Sequence, residues 1–325
     1  MNLIKSIVSL RGIASLAVCI YHIAIGNSLL FSDDNIIKAI SAYGYLGVEI
    51  FFIISGFVVP YSMYKNNYRL DKLGNFLLRR SIRVEIPYIV SIVVLLVLNY
   101  ISSLNASFRG SEYIIHWKDI FANLFYLPDI LQLNWLQPLY YTLKVEFQYY
   151  IIIGLIFTFL VSKTNLARVL VFLVLIGLSF ISSIELFKYI VLFLLGIAAF
   201  LYKIEKIGLK YFLISTIILL GIISYQFYID IVIVSALSLA YIFYMNRENA
   251  MLTFLGNISF SLYLIHIPIG GKVINYGLRF VRDDFQKYLL FLLALGASIF
   301  VAYVFYLLIE KPAMKLSKRI KYAVN

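Results

Sequence analysis

The feature that most constrains this chain is a succession of unbroken apolar runs, each near 20 residues, repeated along almost its whole length. A helix of 20 residues is about 30 Å long, which matches the hydrocarbon core of a bilayer. Inside that core every backbone amide needs an internal partner, and only helices and closed barrels supply one. The runs do not alternate polar and apolar residues as barrel strands do. The expected fold is therefore all-α, a polytopic helical membrane protein. About ten spans are expected, at roughly 7–27, 43–62, 84–102, 139–162, 169–184, 188–202, 211–229, 231–245, 252–270 and 288–309. No soluble domain needs 62% hydrophobic residues with 14% charged, or a mean hydropathy of +0.92. Residues 1–325 read as a single transmembrane domain with no appended soluble domain, internal repeat or low-complexity tract.

The formal net charge is +12. Spread evenly, that excess would suggest nucleic acid, but most of the 28 lysines and arginines fall in alternate loops, on the side where the chain begins. The densest groups are Lys65 to Arg83 and Lys311 to Lys321. This is the positive-inside asymmetry, and it places both termini in the cytoplasm. No nucleic-acid partner is expected. The single cysteine, Cys19, excludes an internal disulfide. The first run is not a cleaved signal peptide, because Arg11 interrupts it and it continues into Phe31-Ser-Asp-Asp-Asn35 without a small-residue cleavage site.

That first span carries two ionisable residues, Arg11 and His22. Such groups are costly in a membrane and so are functional candidates. Eleven residues of helix leave them about 20° apart around the axis and about 16 Å apart along it. One face thus holds a permanent cation near one end and a titratable base deeper in. The plainer reading makes Arg11 a snorkelling residue and His22 a satisfied core histidine.

Other spans add polar groups. The second has small residues at Gly44, Gly47, Ser55 and Gly56, suited to close helix contact, and a buried carboxylate, Glu49. Arg79, Arg80 and Arg83 stand at helical spacing at the mouth of the third span. They suit either anionic headgroups or the phosphates of a soluble ligand. The segment from about Ser103 to Pro138 is aromatic and bounded by prolines, which fits an interfacial or re-entrant element. His116, within it, reads as a surface histidine. The fourth span puts Thr142, Glu146 and Tyr149/Tyr150 on one face, and the ninth carries Tyr263 and His266 at i, i+3. Each group suits a polar cavity or, equally, an inter-helix hydrogen-bond network.

Five of these segments occur together and in order: Arg11-Gly12 with His22, Gly47-Val-Glu-Ile-Phe-Phe-Ile-Ile-Ser-Gly-Phe57, Arg79-Arg80-x-x-Arg83, Thr142-Leu-x-Val-Glu146-x-Gln-x-Tyr150, and Ser259-x-Ser-Leu-Tyr-Leu-x-His266-x-Pro268. With the closing Glu310-Lys311-Pro312 they resemble the acyltransferase-3 family of membrane acyltransferases over nearly the whole chain. Tyr141, where the family usually shows Trp, is a departure.

The resemblance implies transfer of an acyl group, commonly acetyl, from cytosolic acyl-CoA to a hydroxyl of a cell-surface carbohydrate or its lipid-linked precursor. The setting it implies is the bacterial cytoplasmic (inner) membrane. Acyl-CoA is then a donor substrate, with no permanently bound cofactor and no metal. The expected partners are acyl-CoA, the carbohydrate acceptor and the lipid bilayer, and a homo-oligomer is compatible with the sequence.

In that chemistry His22 is the expected general base, because imidazole titrates nearest neutrality. Arg11 would bind or polarise the CoA side, and Glu146 would orient the acceptor or the imidazole. Arg79, Arg80 and Arg83 would hold the CoA phosphates. Glu49, Tyr150, Tyr263 and His266 would line the substrate site. Cys19, off the Arg11–His22 line, is a minor alternative as an acyl-carrying nucleophile. The competing class is a proton-coupled transporter or a non-catalytic component of polysaccharide export. The absence of an internal repeat counts against the transporter.

Overall fold

The computed structural model describes residues 2–104, 114–245 and 249–321, and every regular element among them is helical. The chain opens with α1 (Asn2–Ile25), a short α2 (Ile36–Ser41) and α3 (Gly47–Lys65). Next come α4 (Leu73–Ser103), the short α5 (Trp117–Leu124) and α6 (Pro128–Leu131), and α7 (Tyr141–Leu160). Four apolar rods follow: α8 (Asn165–Ile181), α9 (Glu185–Lys203), α10 (Leu209–Gln226) and α11 (Ile229–Tyr244). The last part holds α12 (Ala250–Asn257), α13 (Ser259–Gly277), α14 (Asp284–Phe305) and α15 (Lys311–Ser317).

Seven helical segments are long and apolar enough to cross a membrane, and the α12–α13 pair makes an eighth if its two arms are one span. The windows near 169–184 and 231–245 are occupied by shorter apolar helices, α8 with 17 residues and α11 with 16. Three windows differ in shape from a straight 20-residue rod. Residues 252–270 do not form one helix, because the chain bends by 73° between α12 and α13. The third span begins at Leu73, well before the apolar window, so Arg79, Arg80 and Arg83 lie inside a 31-residue helix instead of at its mouth. The last span ends in a π turn, Tyr306–Glu310, that leads directly into α15. A π turn adds a residue to the helical repeat and re-aims the side chains that follow.

Small residues decide how the rods pack. Lipid tails are as apolar as leucine, so helices associate through close backbone approach. Gly56 on α3 and Gly196 on α9 face one another, and a Cβ on either would collide with the other helix's backbone. Gly12 on α1 and Gly256 on α12 do the same, which seats the α12 arm beside the turn that carries Arg11. Window burial follows: 78% on the central α9, but 17% on α10. The exposed side of α10 presents Ile217 and Tyr225, as a lipid-facing rod should.

The aromatic segment before α7 is tied down where it is described; residues 105–113 of it lie outside the described residues. Asn123 holds it together, donating to the carbonyls of Asp119 and Asn134 and accepting from Leu136 N. Tyr88 on α4 donates to Asn123 O, and its ring stacks on Tyr126 at 5.3 Å. Lys144 on α7 joins Asp129 to Glu185, clamping the segment to α7 and α9. Burial pushes the Asp129 carboxyl up, but hydrogen bonds from Lys144 and Trp135 Nε1 outweigh it and hold the group below its ordinary value. His116 is exposed.

Candidate active site

A cavity of about 110 Å³ opens between α1, α3, α4, α7 and α13. Arg11, Arg80 and Arg83 line it together with Glu146, Tyr150 and Tyr263. Their positions follow from helix geometry. Arg80 and Arg83 lie three apart on α4, and Glu146 and Tyr150 four apart on α7, so each pair shares a face. Glu146 accepts from Ser55 Oγ at 2.9 Å and from Tyr150 OH at 2.6 Å, which locks one carboxylate oxygen between α3 and α7. Arg80 sits over the rings of Phe76 and Tyr150, at 5.7 and 5.3 Å. Among the described residues Arg11 and Arg83 make no hydrogen bond or ion pair.

One further group completes the cavity, and sequence reasoning had treated it only as part of a closing motif. Glu310, the last residue of the π turn, lines the cavity and is buried. It accepts from Ser261 N at 3.1 Å and Ser261 Oγ at 2.6 Å, and it faces Arg11 and Arg83 through space. The cavity thus holds three guanidinium groups against two carboxylates, each carboxylate already engaged by neutral donors. An uncompensated cation in a low-dielectric site is costly, so the surplus suits an anionic ligand.

A smaller pocket of about 40 Å³ shares Arg80 and Arg83 with the cavity and adds Arg79, Ser62, Ser317 and Lys318. The end of the bundle that carries it, with the start of α4 and α15, is the basic end. Arg79 therefore belongs to this outer pocket and not to the cavity. Positive groups run inward from Arg79 and Lys318, through Arg80 and Arg83, to Arg11.

His22 and His266 do not line the cavity. They lie beyond Tyr263, whose ring centroid is 6.2 Å from that of His266. Tyr263 OH meets Thr142 Oγ1 at 2.5 Å and donates to Leu139 O at 3.1 Å. These contacts fix the ring between cavity and histidines. The two imidazoles touch each other: His22 Nδ1 is 3.1 Å from His266 Nε2. His22 Nδ1 is also 2.9 Å from Val18 O, and His266 Nδ1 is 2.8 Å from Leu262 O.

Several residues named from sequence do not take the places expected of them. Glu49 is buried in the first turn of α3, outside the cavity, and its Oε2 has no partner among the described residues. Tyr149 turns away from Tyr150's side of α7 and stacks on Phe193 at 4.1 Å. Glu146 is held by Ser55 and Tyr150, while the imidazole of His22 meets His266. Cys19 is fully buried in an apolar cluster with Ile23 and Leu262, which leaves its thiol no access to a donor.

The profile of the acyltransferase-3 family, described as an acyltransferase domain, matches residues 4–307. No curated protein and no solved structure matches the chain. The match runs from α1 into the first residues of the π turn, so it takes in His22, His266, all the cavity arginines and Glu146 and stops short of Glu310. With helices built to cross a membrane and one domain match over most of its length, the chain belongs to the acyltransferase-3 family and is a membrane acyltransferase.

Proposed function

We propose that this protein moves an acyl group, acetyl in the simplest case, from cytosolic acyl-CoA to a hydroxyl of a cell-surface carbohydrate or its lipid-linked precursor. The bacterial cytoplasmic membrane is the proposed setting, with both termini inside, so that the basic end meets the donor. Arg79 and Lys318 would engage the CoA phosphates at the mouth, with Arg80 and Arg83 following inward. Guanidinium groups hold phosphate oxygens through paired N–H donors. Arg11 would lie along the pantetheine arm, and the acyl group would pass Tyr263 to reach His22.

The reaction then needs one base. His22 Nε2 takes the proton of the acceptor hydroxyl, and the oxygen attacks the thioester carbonyl carbon. The C–S bond breaks as the tetrahedral intermediate collapses, and the proton held on Nε2 passes to the departing CoA thiolate. Glu146, Tyr150 and Tyr263 supply hydrogen-bond acceptors and donors along the approach, and Glu49 is a further acceptor towards the opposite end.

One observation carries this reading: an arginine-lined cavity at the basic end that stops one aromatic ring short of a paired imidazole. The purified protein in nanodiscs, given radiolabelled acetyl-CoA and lipid-linked glycans from the host, should pass label to glycan. His22→Ala should not. Intact acetyl-CoA together with proton-driven solute uptake in liposomes would replace transfer by transport.

A further inference from the structure

Resting on the reading of His22 as the base, the geometry points to His266 as its positioning residue, not as a group that binds substrate. The hydrogen-bond partners assign the protons. Val18 O and Leu262 O are carbonyls and can only accept, so Nδ1 of each imidazole carries the hydrogen. His266 Nε2 is then a bare lone pair, and it accepts from His22 Nδ1–H across 3.1 Å. Both nitrogens of His266 are engaged and the residue is fully buried, which leaves it nothing to offer a substrate. Among the described residues nothing hydrogen-bonds to His22 Nε2. That atom is the single uncommitted lone pair of the pair.

The consequence is chemical. When His22 Nε2 accepts the hydroxyl proton, the ring becomes an imidazolium whose Nδ1–H already points at two acceptors. One of them, the His266 nitrogen, is a stronger base than any carbonyl and spreads the positive charge where, among the described residues, no carboxylate touches the ring. A neutral imidazole thus does here what a buried carboxylate does in a hydrolase triad, holding the tautomer and steadying the cation. The proton ends on the CoA thiolate, and His266 is unchanged over the cycle.

Two carboxamide variants separate this from a packing role. In His266→Gln the amide oxygen can take the place of Nε2 and still accept from His22. In His266→Asn the amide reaches only the Nδ1 position, so it keeps the Leu262 contact and loses His22. Diethyl pyrocarbonate carbethoxylates a hydrogen-free imidazole nitrogen, and peptide mass spectrometry reads each of the three histidines. The exposed His116 serves as the internal reference.

In nanodiscs the wild type should be modified at His22 and spared at His266. His266→Gln should keep the wild-type His22 rate, and His266→Asn should slow it about tenfold, the weight of one charge-assisted hydrogen bond. Equal His22 rates in all three proteins would overturn the pairing. This readout needs no acyl acceptor, so it holds even if the transfer reaction itself fails. In the acetyl-CoA transfer assay, His266→Asn should lose about 10²-fold in kcat with an unchanged KM, and His266→Gln should recover most of it. A raised acceptor KM with wild-type kcat would return His266 to substrate binding.

Discussion

The cavity at the basic end and the histidine pair beyond it are neighbours built on opposite principles. The cavity is charged and undercompensated, with Arg11 and Arg83 making no ion pair among the described residues while Glu146 and Glu310 are engaged by neutral donors. Among the described residues the histidine pair has its polar atoms satisfied except one, His22 Nε2. Tyr263 lies between them, three residues from His266 on α13. A surplus of fixed charge binds an ion but cannot accept a proton. A neutral imidazole with one lone pair can accept one but has little hold on a phosphate. The contrast separates the two tasks that the proposed function asks of this protein, holding an anionic donor and accepting a proton.

The comparison breaks outright if the basic end faces the wrong compartment. In a Cys19→Ser background, Asp33→Cys and Asp283→Cys should react with an impermeant maleimide added outside intact cells, and Lys72→Cys should not. Labelling at position 72 would put the arginine cavity out of reach of cytosolic CoA. Next in size is His22→Ala, which should lose about 10²–10⁴-fold in transfer rate, some 3–5 kcal/mol of barrier, while acyl-CoA still binds. Near-normal turnover in that variant would remove the base from the histidine end.

At the cavity, Arg80→Lys and Arg83→Lys should each raise the apparent KM for acyl-CoA by about tenfold, because a point charge cannot replace a forked guanidinium. The acceptor's constant should stay put, and so should orientation, since lysine preserves the charge count. Three variants including Arg79→Lys that match wild type would reduce the cluster to a topology signal. Glu310→Gln keeps an acceptor for Ser261 but removes the charge facing Arg11 and Arg83. A loss of about 1 kcal/mol in stability is expected from thermal unfolding in detergent. An unchanged midpoint would show that the arginines do not depend on it. Cys19→Ser should leave turnover within about twofold, as a change of roughly 0.5 kcal/mol implies. Its inactivity would revive an acyl-thiol route.

Much of this was legible because it is local. The periodicity that set Arg11 and His22 on one face, Arg80 near Arg83 and Glu146 near Tyr150 is fixed by 3.6 residues per turn. Gly56 could be read as a packing position, though its partner Gly196 could not, and the Gly12–Gly256 contact had no such sign. Other features left no local trace. The bend at Ile258 interrupts an apolar window that composition alone would make one span. The π turn that brings Glu310 into the cavity is a single added residue in the helical repeat, with no composition of its own. Glu49, expected beside the substrate groups, lies outside the cavity because α3 turns Ser55 to it.

By itself the sequence determined the solvent this chain lives in, its all-helical class, the family it resembles and the residue types that gather at the candidate site. Those follow from transfer free energies and helical period, which act over at most a few turns. Only the tertiary structure decided that His22 meets His266 across 244 residues of chain, and that Ser261 holds Glu310 across 49. It also decided that Tyr263 stands between the cavity and the histidine pair. Helix docking makes those choices, because rods of equal apolarity have no preferred neighbour until shape, glycine contacts and buried hydrogen bonds select one.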